Sequence, residues 1–271
     1  MREWWREITG LVLPVACAGC GLPRTELCRP CAAALDGVPP RRVRPSPEPP
    51  GLPVVRAAAP YENAVRAVLL AHKERGALGL AGALGRALAG AVRAGEGRLG
   101  DGGPLLLVPV PSARRSTGAR GHDPVRRIAL AAAGELRCDG APARVLAVLR
   151  QRRPVADQAG LGARQRQANL AGALEVVPGG GRLLAGGRVV LVDDLMTTGA
   201  TLAEAARAVH RVLDSPPASP RAFPPALPRV TSGAASRAIE PVVTRVRTGP
   251  GALSAAVVSA SPSAFEINWN C

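Results

Sequence analysis

The chain has 271 residues, of which 35 are Lys or Arg and 20 are Asp or Glu, giving a net charge of +15. Apolar residues make up 47% and aromatics only 2%, so a core is affordable but must be built from Ala, Val and Leu. That length suits one domain of about 200 residues with appendages. No apolar run approaches a membrane span. The arginine excess favours acidic partners such as phosphates or nucleic acid, but without interleaved aromatics it makes a poor stacking surface for single strands.

Residues 8–16 are apolar and precede Cys17, but Glu3 and Glu7 stand where a signal peptide carries basic residues, and Pro14 interrupts the run. A cytoplasmic protein is expected. Four cysteines follow as Cys17-x-x-Cys20-x7-Cys28-x-x-Cys31. Two such knuckles can gather four thiolates around a structural zinc ion, with Gly19 and Gly21 giving the turns positive-φ freedom. A pair of disulfides is the alternative, which a reducing compartment opposes. Four thiolates leave no open position for a catalytic zinc, and Cys138 and Cys271 read as ordinary thiols. Residues 37–53 are too proline-rich for a helix or an interior strand. They read as a linker between a zinc module at 10–36 and a larger domain.

In that larger domain, residues 54–60 read as a strand and 62–94 as a long or broken helical region whose first stripe ends at Gly76. Lys73 is the only lysine in the chain. It reads either as a compact charge for a phosphate or as a solvated residue near a helix end. Residues 105–111, L-L-L-V-P-V-P, read as a buried strand ended by its prolines. The loop after it is basic, with Arg114, Arg115 and Arg120, and a His122 that carries little information alone. A helix is expected over 125–136 and a strand over 143–149. The polar stretch 150–169 reads as a long loop, functional or disordered.

The most informative stretch is 187–209, G-R-V-V-L-V-D-D-L-M-T-T-G-A-T-L-A-E-A-A-R-A-V. Residues 189–192 read as a strand buried on both faces, followed by Asp193 and Asp194, with a helix over 202–209. Between them, hydroxyl and glycine residues entering a helix offer free N–H groups and a positive dipole end to a phosphate. Adjacent acids would repel that phosphate but suit hydroxyl groups, or a metal-bound sugar, attached to it. A 5-phosphoribosyl ligand has both features. Residues 214–250 are rich in Pro, Ser, Ala and Arg and read as a disordered insert, arising by insertion or by a compensated frame change. Residues 252–260 then read as a last strand and 261–271 as a tail.

V-V-L-V-D-D-L-M-T-T-G-A-T resembles the phosphoribosyl pyrophosphate (PRPP) motif of type I phosphoribosyltransferases. Joined to the four-cysteine module, H-K-E-R-G, V-P-V-P-x-x-R-R with A-R-G-H-D, and Q-A-G-L-x-x-R-Q-R-x-x-N-L-x-G-A-L, the pattern is similar to the ComF family over about residues 10–213. The resemblance implies an α/β fold: a type I phosphoribosyltransferase-like parallel sheet with flanking helices over 54–260, plus a small zinc-ribbon-like module. It implies Asp193 and Asp194 on the ribose hydroxyls and Met196, Thr197, Thr198, Gly199, Ala200 and Thr201 around the 5′-phosphate. Arg114, Arg115, Arg120 and Lys73 would face pyrophosphate, Mg²⁺ would accompany PRPP, and 150–169 would close over it. Thr197 replaces the general-base acid of some purine-salvage members, which weighs against that branch. R-G-H-D-P at 120–124 departs from the R-G-F-N-Q usual in the family.

The leading expectation is a PRPP-binding, Mg-dependent phosphoribosyltransferase-like protein with an unknown acceptor, linked to DNA uptake in competent bacteria. The alternative is a non-catalytic PRPP-binding or nucleic-acid-associated scaffold meeting competence proteins or single-stranded DNA. A third reading, a zinc-ribbon nucleic-acid binder with a passive α/β domain, leaves the acid pair without a role. A homodimer is left open.

Overall fold

A computed structural model describes residues 15–95, 103–111, 123–153, 163–214 and 253–265. In chain order its elements are α1 (Arg29–Asp36), β1 (Arg41–Val43), β2 (Val54–Pro60), α2 (Asn63–Glu74), a 3-10 turn (Leu78–Leu80), α3 (Ala81–Gly95) and β3 (Leu105–Pro109). There follow α4 (Pro124–Cys138), β4 (Ala143–Val145), β5 (Leu149–Gln151), α5 (Ala163–Leu170), β6 (Leu174–Val176) and α6 (Gly180–Leu184). The chain continues through β7 (Arg188–Met196), α7 (Ala200–Leu213), β8 (Ser254–Ala260) and a 3-10 turn (Pro262–Phe265).

Six strands form a mixed, mostly parallel sheet in the order β1-β2-β8-β7-β3-β4, in which only β1 runs antiparallel to its neighbour. A separate antiparallel pair joins β5 to β6. All five residues of β3 are buried, as a parallel strand covered on both faces requires. Leu105, Leu107, Val190, Val192, Ala256 and Val258 share one core with Leu35 of α1, Val68 of α2, Leu88 of α3 and Ile128 of α4. Val108, Leu191 and Val257 share the other with Leu202, Ala206 and Val209 of α7. The fold is therefore a three-layer α/β/α arrangement. Lacking large aromatics, its core reaches density through close approach: a β-carbon on Gly85 of α3 would stand 2.5 Å from that of Ala131 on α4.

Several segments differ from their sequence reading. β7 runs through both acids to Met196, because its pairing with β8 continues to Met196↔Ala260. The strand expected over 143–149 splits: Leu146 N–H makes a last bond to Leu107, the chain turns, and Leu149 starts β5 on the α7 side. The proline-rich stretch 37–53 supplies edge strand β1, whose three residues contain no proline, while Pro45 and Pro49 on its C-terminal side are buried. Nor is the cysteine module set apart, since Leu35 lies in the domain core and Ala18 and Leu27 pack against it. Part of the polar stretch 150–169 is helix α5; its residues 154–162, like 1–14, 215–252 and 266–271, lie outside the described residues.

The winding of the sheet places the site. From β3 the chain passes through α4 to β4 on one side, while from β7 it passes through α7 to β8 on the other. β3 and β7 are neighbours, so the connections diverge between their C-terminal ends and open a crevice at a topological switch point.

The β5–β6 pair is fastened to α7 by the buried carboxylate of Glu204, which accepts from Leu174 N–H at 3.0 Å and twice from Arg207 at 2.7 Å. Burial pushes this carboxyl up, but Arg207 and backbone donors outweigh it and hold it below its ordinary value. A carboxyl depressed by folding stabilises above its unfolded pKa of about 4.3, and that contribution is lost as pH falls through the lower folded value. Glu204→Gln is expected to cost about 1–3 kcal/mol at neutral pH. Urea unfolding at pH 7 and at pH 3 checks this, the difference from the parent shrinking in acid.

Candidate functional site

The site is built on β7. Val190 and Val192 face the α1–α4 layer, and Asp194 continues that row; Asp193 is paired across the ladder with Val257 of the opposite core. On its face Asp194 meets α2, where Lys73 Nζ donates to its Oδ2 at 2.8 Å across 121 residues of sequence. Asp194 is only 4% exposed, and the Lys73 side chain 35%. Asp194 N–H donates to Asp193 Oδ1 at 2.8 Å. Burial and the neighbouring Asp194 charge push the half-buried Asp193 carboxyl well above the usual carboxylate range, against the pull of Lys73. Burial draws the Lys73 ammonium down, but Asp194 and Asp193 outweigh it and raise it. Asp194 thus commits Oδ2 to Lys73, and Asp193 commits Oδ1 to the Asp194 amide.

The loop after the acids leads straight into α7. Met196 puts its side chain in the core and its carbonyl accepts from Ser261 N–H, which leaves Thr197–Gly199 as the loop and Ala200 and Thr201 as the first residues of α7. Thr197 is exposed, Thr198 and Thr201 are half-buried, and Gly199 and Ala200 are buried. Gly199 adopts φ +73°, and a β-carbon there would lie 3.1 Å from both Leu52 methyls and 3.3 Å from Pro45. Only glycine meets both demands. Among the described residues, the contact recorded at the N-terminus of α7 is a long 3.5 Å one from Ala200 N–H to Thr198 Oγ1, and a helix start of this kind suits an anion.

The residue before Lys73 reaches the other wall of the crevice. His72 is buried, with Nδ1 3.2 Å from the Ala77 carbonyl and Nε2 3.4 Å from that of Pro124, the first residue of α4. Asp123 N-caps that helix by accepting from Arg126 N–H at 3.1 Å. The D-P of R-G-H-D-P is therefore a helix cap followed by proline at its preferred first position. Arg114, Arg115, Arg120 and His122 lie outside the described residues.

The four cysteines come together, with the sulfurs of Cys17, Cys20, Cys28 and Cys31 all within 4.8 Å of one another. A tetrahedral zinc–thiolate site at 2.3 Å needs sulfurs about 3.8 Å apart, and Cys20 and Cys28 stand at 3.6 Å. The quartet fits zinc. Burial pushes the Cys17 thiol up, but backbone donors from Cys28, Cys20 and Gly19 bring it down to about 6. Cys31 is driven up by burial and its sulfur neighbours. A dication supplies the charge that lets all four ionise. Gly21 has the expected positive φ of +81°, whereas Gly19 serves by close approach: a β-carbon there would meet Cys31 Sγ at 2.6 Å.

Sequence reasoning gathered Asp193, Asp194, the Thr197–Thr201 loop and the cysteine quartet. It missed the partner of Lys73, for which the only signal was that no other lysine exists, and the packing of Pro45 and Leu52 against Gly199, which left no signal. Among the described residues no helix is long and apolar enough to cross a membrane. No protein-family model matches the chain, and no curated protein matches it.

Because Ala64 of α2 packs against the cysteines and Leu35 sits in the domain core, the metal should matter beyond the module. One zinc per chain is expected by mass spectrometry of acid-released metal, and its chelation should lower the melting temperature of the whole chain by roughly 5 °C or more. Paired disulfides in place of zinc would contradict this.

Proposed function

We propose that this chain is a PRPP-binding, phosphoribosyltransferase-like protein of the ComF type. One observation carries the reading: two adjacent acids, each with one oxygen already fixed by a protein donor, stand at a topological switch point five residues before a helix N-terminus whose N-cap residue makes no side-chain cap. A vicinal diol needs paired acceptors, and a phosphate needs unpaired amides. A 5-phosphorylated ribose joins the two at about this spacing. Asp193 and Asp194 would take the 2′- and 3′-hydroxyls, and the Thr197–Thr201 loop with the first turn of α7 would take the 5′-phosphate.

In a transfer reaction the chain would act by positioning and charge stabilisation. Loss of pyrophosphate would leave a cationic sugar beside the acid pair, and an acceptor would attack the anomeric carbon. No covalent nucleophile is required. Mg²⁺, when bound with PRPP, would neutralise the leaving pyrophosphate. Thr197 offers no general base, so the acceptor must bring its own nucleophilicity or another residue must supply the base. The ComF resemblance adds a cytoplasmic setting and a link to DNA uptake.

Calorimetric titration of PRPP with Mg²⁺ tests the reading. Binding is expected in the parent and is expected to weaken at least a hundredfold in Asp193→Asn/Asp194→Asn. Binding without pyrophosphate release against any acceptor would select the non-catalytic scaffold, and a folded, zinc-loaded protein that ignores PRPP would sink both forms.

A further inference from the structure

Lys73 invites reading as a ligand for an anionic substrate, yet its geometry ties it elsewhere. Its ammonium donates to Asp194 Oδ2 at 2.8 Å, and Asp194 is almost wholly buried. The charged groups acting on this ammonium are Asp194, Asp193 and its helix neighbour Glu74. A buried carboxylate without a counter-charge takes up a proton. Without Lys73, Asp194 Oδ2 would lose both its counter-charge and the hydrogen bond that fixes it. With it, Asp194 Oδ2 is held at 2.8 Å, while the backbone N–H of Asp194 holds Asp193 Oδ1.

The helix that carries Lys73 is fixed at the same point. His72, the preceding residue, contacts the carbonyl of Pro124, where α4 leaves the basic loop. Two consecutive side chains on the last turn of α2 therefore reach both walls of the crevice, one to β7 and one to the start of α4.

We propose that Lys73 is the positioning residue of the acid pair: it locks Asp194 from the α2 side, so that the pair presents one fixed oxygen apiece to a vicinal cis-diol and selects ribosyl over 2-deoxyribosyl phosphates. This rests on the phosphoribosyl reading for its ligand, but the lock itself does not. It also assigns Lys73 away from pyrophosphate.

Lys73 being the only lysine makes the test direct, since a ¹⁵N-lysine label gives one side-chain ammonium signal. In the ligand-free full chain that signal should be protected from exchange at neutral pH and should disappear in Asp194→Asn. Ribose 5-phosphate should shift it, and inorganic pyrophosphate alone should not. By calorimetry the parent should prefer ribose 5-phosphate over 2-deoxyribose 5-phosphate at least tenfold. Lys73→Gln, which keeps a donor on Asp194 and so avoids stranding it, should bind ribose 5-phosphate at least tenfold more weakly and lose that preference. Lys73→Arg should stay within about threefold of the parent. A signal indifferent to Asp194→Asn, a shift caused by pyrophosphate alone, or parental selectivity in Lys73→Gln would overturn the assignment. A protected signal in a protein that ignores ribose 5-phosphate would uphold the lock and refute the phosphoribosyl reading instead.

Discussion

A carboxylate buried at the C-terminal edge of a parallel sheet is the constraint on which the arrangement depends. Asp194 finds its counter-charge there because Lys73 arrives from a helix more than a hundred residues away in sequence. Removing one member of such a pair costs far more than the pair contributes, so the position of α2 is tightly specified. What specifies it is a chain of contacts. The cysteine quartet packs against Ala64 of α2, α1 sends Leu35 into the core beside Val65 and Val68, and Lys73 completes the last turn. A metal at the N-terminus would thereby brace a charge pair in the centre of the domain.

The crevice has a second constraint, of shape rather than charge. Gly199 must turn the chain through a left-handed conformation where a β-carbon would come within 3.3 Å of Pro45 and Leu52. Those two residues belong to a stretch that looks like a flexible connector but is held by β1 and by Arg44 N–H bonding the Ala264 carbonyl. The loop before α7 is thus packed against residues of the proline-rich stretch, where the connections from β3 and β7 diverge.

How far the sequence foretold this varies with the range of the interaction. Local signals transferred well. The β-branched run before Asp193, the T-T-G-A-T loop and the Ala-rich helix after it are short-range patterns, and each became the element it suggested. The C-x-x-C pairs gathered because their spacing nearly closes the site by itself. Long-range features did not transfer. Nothing near Lys73 names Asp194, and nothing near His72 names the Pro124 carbonyl that it contacts 52 residues on. Proline counts misled at 37–53, because they describe what flanks β1 rather than the three residues that pair. The strand limits erred at 143–149 because a turn at Val148 redirects the chain without glycine or proline to announce it.

The account turns on one placement: a vicinal diol on the acid pair, with its phosphate on the first turn of α7. The most direct measurement is a crystal structure of the zinc-loaded chain with ribose 5-phosphate. The expected result is two hydroxyls on the free oxygens of Asp193 and Asp194, Lys73 still on Asp194, and the phosphate against the amides following Gly199. A phosphate bound instead among surface arginines, with the acid pair empty, would contradict the account.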